Sequence, residues 1–412
     1  MFPTPGLTQK RYARLLVRVG LNVHKGQSVV LWKAPVESQA LIRKIAEECY
    51  KAGASNVDVY WFDPELDRLR LDSFPSDCCA PQSERLISGM ETRIASGASV
   101  LLFDCTCAGV FDGIDPKVLE CETSCETKRL SPAWEELNSG RNAWTVATAP
   151  NLSWALQVYP AETPSRALRK LWNDIAFACR LTNPTYEFDW AEHVGRLSRV
   201  ADRLNERHYS MLHYRGPKAD LCVRLPDFHK WRGPDFVSNG GFHYVPDIPM
   251  EEVFTLPHRS GVDGWIASDV PFIVKGEIIQ GMKAIFEKGL AVKVSARQGE
   301  GVLSAALDTD EGARRLGEVA LVPLDSPTSQ LGRLYYNTIL DENAACHLAF
   351  GRAYRFAAQS GESMSSEEFV AAGGNASAIH IDFMIDSTMT EIWGILADGR
   401  EERIFPTAWS EE

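Results

Sequence analysis

The first 105 residues alternate between short apolar segments and segments with helical spacing, and this alternation limits the possible folds more than any other feature of the chain. Apolar runs occur at 26–34, 56–62 and 99–105, and helical spacing occupies 37–54 and a segment near 84–96. Strand, helix and strand at such intervals predict parallel strands joined by right-handed crossovers. We therefore expect an α/β domain with a largely parallel sheet over residues 1–185.

The sequence pattern changes in the second half of the chain. Helical segments at 165–181 and 190–208 connect the halves, and from residue 211 short strands alternate with turns. Lys288 and Gly289 predict a hairpin turn, and a helix is expected near 299–307. This pattern predicts a strand-rich α+β domain over 186–412.

Three further segments carry weaker signals. Residues 108–135 are expected to be irregular, and 146–160 to mix strand and loop. A helix is expected at 341–351, with Asp341 as its N-cap and Glu342 in its first turn. Strand-to-helix turns carry neither of the glycine-rich nucleotide motifs, so no nucleotide site is indicated.

Composition narrows the range of partners. The chain has 412 residues, enough for two hydrophobic cores, and its formal net charge is −12. Such an acidic protein repels phosphate backbones and anionic lipid, so nucleic acid and membranes are poor candidates for partners. No apolar run approaches the ~18 residues that span a bilayer, and the start lacks a signal-peptide pattern. We expect a cytoplasmic protein.

Ten cysteines raise the question of a thiolate metal site. Cys105 with Cys107, and Cys121 with Cys125, lie close in sequence, but neither pair has the spacing of structural zinc sites. Reduced thiols are the expectation for a chain of this size without a secretory signal. We therefore expect buried or incidental thiols.

Residues 378–386, AIHIDFMID, predict a strand with two unlike faces. Ile379, Ile381, Phe383 and Ile385 share one face at period two, and the other face carries His380 and Asp382 about 7 Å apart. An imidazole beside a carboxylate is either a solvated polar pair or half of a metal site. A metal site would need ligands from elsewhere in the chain.

Other segments offer such ligands, although each is ambiguous by itself. His347 and Tyr354 are seven residues apart and would share one face of the expected helix. Glu251 and Glu252 are adjacent in EEVFTLP, and Glu318 leads into the apolar run VALVP. A buried glutamate is costly unless it is paired or coordinates a metal.

The combination of these segments indicates a protein family more specifically than any single segment does. EEVFTLP, LGEVALVP, YYNTILDENAACHLAFGRAY and IHIDFMIDS, in this order and spacing, closely resemble the signatures of the M29 family of metallo-aminopeptidases. Similar segments elsewhere, such as GLNVHKGQSVVLWKAPVE and GILADGREERIF, extend the resemblance over nearly the whole chain.

The resemblance implies a site and a reaction. The implied metal ligands are Glu252, Glu318, His347, His380 and Asp382. They would hold two divalent ions (Zn, Co or Mn), and borderline metals suit such a mixture of imidazole and carboxylate. The implied reaction removes the N-terminal residue of small peptides by means of a metal-activated water.

Catalytic roles also follow from the resemblance. Glu318 or Glu342 would accept the proton from water, and Tyr354 would hydrogen-bond the developing oxyanion. The family also implies a homodimer that encloses its active sites in a cavity.

Three alternatives remain at this point. Met250 stands where the family usually has threonine, and 105–130 follows the family loosely, so a specialised amide hydrolase with one biosynthetic substrate is conceivable. His347, His380 and Asp382 could instead hold one Fe(II), as in a ring-cleaving dioxygenase of related fold, although Glu252 and Glu318 oppose this. A binding protein that retains the scaffold is disfavoured because no ligand has been lost.

Overall fold

The computed structural model describes residues 3–74, 81–105, 109–138 and 140–406. The chain forms two compact units. Unit 1 comprises Met1–Ala191, Asp235–Met250 and Tyr335–Ile339, and unit 2 comprises Glu192–Pro234, Glu251–Leu334 and Leu340–Glu412. The simpler division at residues 185 and 186 stays a prediction.

The elements of the described residues have the following bounds. The strands are β1 (Ser28–Pro35), β2 (Asn56–Phe62), β3 (Ser99–Asp104), β4 (Trp144–Thr148), β5 (Met211–Gly216), β6 (Ala219–Arg224), β7 (Phe236–Val237), β8 (His243–Tyr244), β9 (Asp247–Ile248), β10 (Val253–Thr255), β11 (Val262–Ser268), β12 (Phe272–Val274), β13 (Glu277–Ile279), β14 (Met282–Glu287), β15 (Leu290–Ser295), β16 (Leu316–Leu321), β17 (His347–Gly351), β18 (His380–Met384), β19 (Glu391–Ile395) and β20 (Glu401–Phe405). The α-helices are α1 (Pro5–Leu15), α2 (Gln39–Ala52), α3 (Pro64–Ser73), α4 (Pro81–Ala95), α5 (Pro116–Asn138), α6 (Leu152–Val158), α7 (Pro164–Ala178), α8 (Tyr186–Arg207), α9 (Glu300–Leu307), α10 (Pro327–Leu331), α11 (Thr338–Glu342) and α12 (Ser366–Ala372).

Unit 1 contains the parallel sheet that the alternation predicted. Its strand order is β2-β1-β3-β4-β9, and every pair of neighbours is parallel. Helix α2 ends at Gly53, whose φ of 99° is the left-handed conformation that glycine adopts readily at a helix end. The expected α/β fold of this half is confirmed.

Two expectations for unit 1 were wrong. Helix α5 occupies most of the segment that was expected to be irregular, and α6 occupies part of the segment expected to mix strand and loop. Pro132 lies inside α5, and a proline inside a helical pattern ordinarily signals a break. Local sequence therefore understated both helices, because tertiary packing can override weak local preference.

Unit 2 is rich in antiparallel strands, as the sequence predicted. One sheet has the order β15-β14-β11-β6-β5-β19-β20, and a second has the order β10-β16-β17-β18. The hairpin at Lys288 and Gly289 is confirmed: Glu287 pairs with Leu290, and φ is 48° and 81° at the two turn residues. Helix α9 coincides with the helix expected near 299–307.

The helix expected at 341–351 was wrong. Helix α11 ends at Glu342, Asp341 lies inside it instead of capping it, and His347 begins strand β17. All five residues of β17 are buried, so the strand lacks the polar alternation that identifies a half-exposed strand. His347 and Tyr354 therefore share no helix face.

The second sheet of unit 2 separates an apolar layer from a polar one. Val319, Leu348, Phe350 and Phe383 belong to one hydrophobic core, and the rings of Phe350 and Phe383 are 4.9 Å apart. Strand β18, His380–Met384, forms the centre of the strand predicted at 378–386, and its Phe383 belongs to this core as expected. The residues that alternate with these face the opposite side of the sheet.

The described cysteines fall into two groups. Cys49, Cys105, Cys179, Cys222 and Cys346 carry reduced thiols, whereas Cys121 and Cys125 are disulfide-bonded. The expectation of reduced thiols was therefore wrong for Cys121 and Cys125, both of which belong to α5. Cys78, Cys79 and Cys107 lie outside the described residues. Within the described ranges, no helix is both long and apolar enough to cross a membrane.

Candidate metal centre

Strand register places the predicted acids on one row of the second sheet. Glu318 on β16 pairs with Ala349 on β17, and Ala349 pairs with Asp382 on β18. Directly paired residues of antiparallel strands project from the same face of a sheet. The methyl group of Ala349 therefore lies between two carboxylates and leaves space above the sheet.

The two predicted histidines project from the same face. His347 lies two residues before Ala349, and His380 lies two residues before Asp382. Glu252 immediately precedes β10, which pairs with β16 at the edge of the sheet. All five residues therefore come from one four-stranded sheet or its margin, within unit 2.

A bulge sets the position of Glu318. The register between β16 and β17 shifts between Leu316 and Glu318, so Gly317 is the extra residue. A Cβ at Gly317 would collide with the carbonyl oxygens of Gly351 and Arg352. Glycine is therefore required at this position for the two strands to approach each other.

The side chains form two overlapping groups of ligands. Glu252, Glu318 and His347 form one, and Glu318, His380 and Asp382 form the other. Within each group, one ligand atom from every residue lies within 4.8 Å of the others. Glu318 is common to both groups, with Oε1 3.5 Å from Nε2 of His347 and Oε2 3.7 Å from Nε2 of His380.

Backbone hydrogen bonds fix the orientation of both imidazoles. Nδ1 of His347 is 3.1 Å from the carbonyl oxygen of Ala345, and Nδ1 of His380 is 2.7 Å from that of Arg352. A carbonyl only accepts, so each Nδ1 carries the proton and each Nε2 faces carboxylate oxygens. The nearest of these are Oε2 of Glu252, 3.0 Å from His347, and Oδ1 of Asp382, 3.3 Å from His380.

This arrangement requires a positive charge between each imidazole and its carboxylate. If Nε2 is unprotonated, its lone pair faces the lone pairs of the carboxylate, which is repulsive. Either a proton on Nε2 or a bound cation removes that repulsion. Among the described residues, Oε2 of Glu252 and Oδ1 of Asp382 are buried without a well-aligned hydrogen bond, as metal ligands would be. The residues present therefore fit divalent metal.

The protonation equilibria reflect the same requirement. Burial favours neutral His380, but the negative charge of Asp382 outweighs it and raises the pKa of His380 to about 8. Burial likewise disfavours charged His347, yet Glu252 raises the pKa of His347 well above its usual value. Burial raises the pKa of Glu318 to about 7, and Glu252 adds to this rise. Without metal, protons therefore occupy the site near neutral pH.

Tyr354 and Glu342 lie outside the two ligand groups, whose members all belong to the described part of the chain. The ring of Tyr354 is 4.8 Å from that of His380 and stacks on Phe356 at 5.0 Å. Burial raises the pKa of Tyr354, and the charges of Glu318, Asp382 and Glu342 contribute to the rise. A short turn after β17, not a helix face, brings Tyr354 to the site.

Sequence reasoning missed some neighbours of the site. His193 on α8 has Nε2 3.6 Å from Oε2 of Glu251, and both side chains are buried. The backbone N–H of Glu251 donates to Oδ1 of Asn343, at 2.6 Å. The adjacent glutamates were a signal for this region, but no local pattern connects His193 or Asn343 to them. These contacts anchor the segment that carries Glu252.

Two imidazoles and three carboxylates converge on one buried face, a set of donors that could hold divalent metal and that is typical of metal-dependent hydrolases. Comparison with known proteins gives the family. The model of the thermophilic metalloprotease family M29 matches residues 7–407. The chain therefore belongs to the M29 family.

Named relatives agree with this assignment. The chain is similar to aminopeptidase AmpS of Bacillus subtilis, at 40% identity over 96% of both chains, and to aminopeptidase T of Thermus thermophilus, at 37% identity over 95% of both. The solved structure of wild-type AmpT from Thermus thermophilus superposes with a TM-score of 0.89 at 37% identity, covering 96% of this chain and 97% of the other. The chain is a metallo-aminopeptidase, a hydrolase of peptide bonds, and its family depends on divalent metal ions.

Metal binding should depend unequally on the ligands. Glu318→Ala removes the residue common to both groups, whereas Asp382→Ala removes a ligand from one group. We expect Glu318→Ala to lose Zn²⁺ from both groups and Asp382→Ala to retain the ion held by Glu252 and His347. Calorimetric titration of metal-free protein with Zn²⁺ measures this, with Glu206→Gln, an exposed acid of unit 2, as control. Wild-type binding by Glu318→Ala would contradict the shared role.

Metal binding should also release protons. At pH 7, metal-free His380 and His347 are mainly protonated because their pKa values are raised, and both must be neutral to bind an ion. The apparent affinity for Zn²⁺ should therefore increase as pH rises towards about 8. Titrations at pH 7 in buffers of different ionisation enthalpy count the protons. If the heat of Zn²⁺ binding did not depend on the buffer, binding would release no protons, and this prediction would be wrong.

Proposed function

We propose that this chain is a dinuclear aminopeptidase that binds two divalent ions, Zn, Co or Mn. Glu252 and His347 would hold one ion, His380 and Asp382 the other, and Glu318 would contact both. The observation that carries the proposal is the shared position of Glu318 between two imidazoles whose Nε2 atoms face carboxylates. Two ions offset the charge of three buried carboxylates better than one.

When bound, the ions would polarise the scissile carbonyl and lower the pKa of water. Tyr354 would donate a hydrogen bond to the oxygen that becomes negative as the carbonyl is attacked. Its raised pKa supports this role, since the hydroxyl keeps its proton at neutral pH. The ring contacts both His380 and Phe356, which restricts its orientation.

A carboxylate must accept the proton of the attacking water. Glu318 and Glu342 were the two possibilities from sequence, and we propose Glu342. Both oxygens of Glu318 face ligand histidines, so metal binding would lower its affinity for a proton. Glu342 lies outside both ligand groups, but it is close enough for its charge to contribute to the raised pKa of Tyr354. It would return the proton to the leaving amine.

The substrate would be a small peptide or amino-acyl amide with a free amino terminus, held by a metal ion or an acidic side chain. We further propose a homodimer and a cytoplasmic location, both of which rest on the sequence. Sedimentation at about twice the 45.8 kDa chain mass would support the dimer. A specialised amide hydrolase differs from this proposal only in substrate range. A mononuclear Fe(II) oxygenase is opposed by Glu252 and Glu318, which fill positions that oxygen chemistry leaves open.

The reaction is tested with free and blocked peptides. Metal-loaded enzyme should hydrolyse a hydrophobic dipeptide amide, and the N-acetylated form should be inert because its amino terminus is blocked. Removal of metal should abolish the activity, and Zn²⁺, Co²⁺ or Mn²⁺ should restore it. Equal hydrolysis of the acetylated peptide would refute an aminopeptidase, and oxygen consumption with one iron per chain would favour the oxygenase.

Tyr354→Phe isolates the role of one hydroxyl. The ring and its stacking remain, so folding and metal content should be unchanged. Loss of an oxyanion donor should lower kcat on the order of 10²–10³-fold with little change in KM, because the bond strengthens as charge develops. Steady-state kinetics on a dipeptide amide measures this, with exposed Tyr50→Phe as control. Wild-type kcat in Tyr354→Phe would leave the tyrosine a packing role only.

A further inference from the structure

Arg352 lies immediately after strand β17, where its backbone is joined to the candidate metal centre. Its N–H donates to the carbonyl oxygen of Ile379 at 2.7 Å, and its carbonyl accepts from Nδ1 of His380 at 2.7 Å. Its side chain is exposed. The residue is therefore fixed by its backbone beside His380, while its guanidinium group is accessible from solvent.

The guanidinium is also directed towards the site. Its Cζ lies 5.7 Å from the ring centroid of Tyr354, and that ring lies 4.8 Å from the ring of His380. Contact with an aromatic face restrains the orientation of an arginine side chain. The positive charge is close enough to oppose the rise in pKa of Tyr354 and of His380.

This cation differs from the arginine three residues later. Arg355 donates to the carbonyl oxygen of Met364 at 2.8 Å and to Oγ of Ser366 at 2.6 Å. Among the described residues, the guanidinium of Arg352 has neither a carboxylate within ion-pair distance nor a hydrogen-bond acceptor. Arg355 therefore maintains local structure, whereas Arg352 keeps its donors for a ligand.

The surroundings of Arg352 are acidic. Glu252, Glu318 and Asp382 converge within the centre, and the chain has a net charge of −12. Such a site repels an anionic group unless a cation receives it. The planar fork of arginine matches a carboxylate in two parallel hydrogen bonds.

The length of a short peptide fits this position. An extended chain advances by at most about 3.3–3.6 Å per residue, so the terminal carboxylate lies at most about 3.6 Å from the first carbonyl in a dipeptide and about 7 Å from it in a tripeptide. The guanidinium of Arg352 and the ring of His380 both lie beside the ring of Tyr354. A peptide whose first carbonyl lies at the metal centre can therefore bring its carboxylate to this guanidinium.

We propose that Arg352 binds the C-terminal carboxylate of di- and tripeptide substrates and thereby makes the enzyme prefer short free-acid peptides. This inference rests on the proposed aminopeptidase function and adds a preference at the far end of the substrate. Arg352 contacts the substrate directly in this proposal and takes no part in proton transfer.

The test compares one dipeptide as the free acid and as the C-terminal amide, which share the same scissile bond and amino terminus. Wild type should prefer the acid. Arg352→Met keeps an apolar stem against Tyr354 but removes the charge, and it should lower kcat/KM for the acid about 10–100-fold, the usual range for a hydrogen bond to a charged group. Activity on the amide should fall much less than activity on the acid, and Arg352→Lys should retain part of the preference.

Two controls separate charge from structure. Arg400→Met removes an exposed arginine that pairs with Asp398 on the turn between β19 and β20, and it should leave both activities unchanged. The preference of wild type for the acid should weaken as salt is raised, because an exposed ion pair is screened. Metal content is measured for every variant.

The possible outcomes distinguish a failure of this inference from a failure of the proposed aminopeptidase function. If metal-loaded wild type hydrolyses neither form, the proposed aminopeptidase function fails. If wild type and Arg352→Met hydrolyse acid and amide with the same ratio, Arg352 does not recognise the carboxylate. An equal loss on both substrates would assign Arg352 to the structure around Tyr354 and would overturn its role in substrate binding.

Discussion

The structure of the candidate centre depends on two imidazoles that face carboxylates on a buried sheet. Each Nδ1 donates to a backbone carbonyl, so each Nε2 must meet a carboxylate either as a protonated cation or through a bound metal ion. Burial makes the uncompensated arrangement expensive. The buried carboxylates therefore raise the pKa values of His347 and His380, and the same charges favour the binding of metal ions.

The four-stranded sheet supplies the geometry that this electrostatic constraint needs. Its apolar face, with Phe350 and Phe383, packs in the core and holds the strands in register. On the other face, Ala349 leaves room between Glu318 and Asp382. The bulge at Gly317 completes the arrangement because no larger residue fits there. Stability and chemistry are thus divided between the two faces of one sheet.

The negative charge of the centre affects the binding of the substrate as well as that of the metal ions. An acidic centre attracts divalent cations and a peptide ammonium group, but it repels the carboxylate at the other end of a short peptide. Arg352 is an exposed cation whose backbone bonds to His380 and whose guanidinium lies against Tyr354. Recognition of the two ends of a peptide would then depend on opposite charges placed on neighbouring strands.

Much of this protein could be predicted from local sequence because apolar periodicity is a local property. The parallel sheet of unit 1, the hairpin at Lys288 and the alternation of strand β18 were predicted in this way, whereas the candidate ligands and the family came from the resemblance to the M29 signatures. Strand β17 was mistaken for helix, since a strand buried on both faces has no polar alternation. Helix α5 was missed, and it contains Pro132, a residue that ordinarily signals a break in a helix.

Only the tertiary structure decides which of these side chains lie close together. The sequence determined that imidazoles and carboxylates are present, because those are residue identities. Sharing of Glu318 between two ligand groups, the gap above Ala349, and the approach of Tyr354 to His380 all depend on strand register. Register is set by non-local pairing between strands that lie far apart in the chain, and a one-residue slip would send each ligand to the opposite face of the sheet.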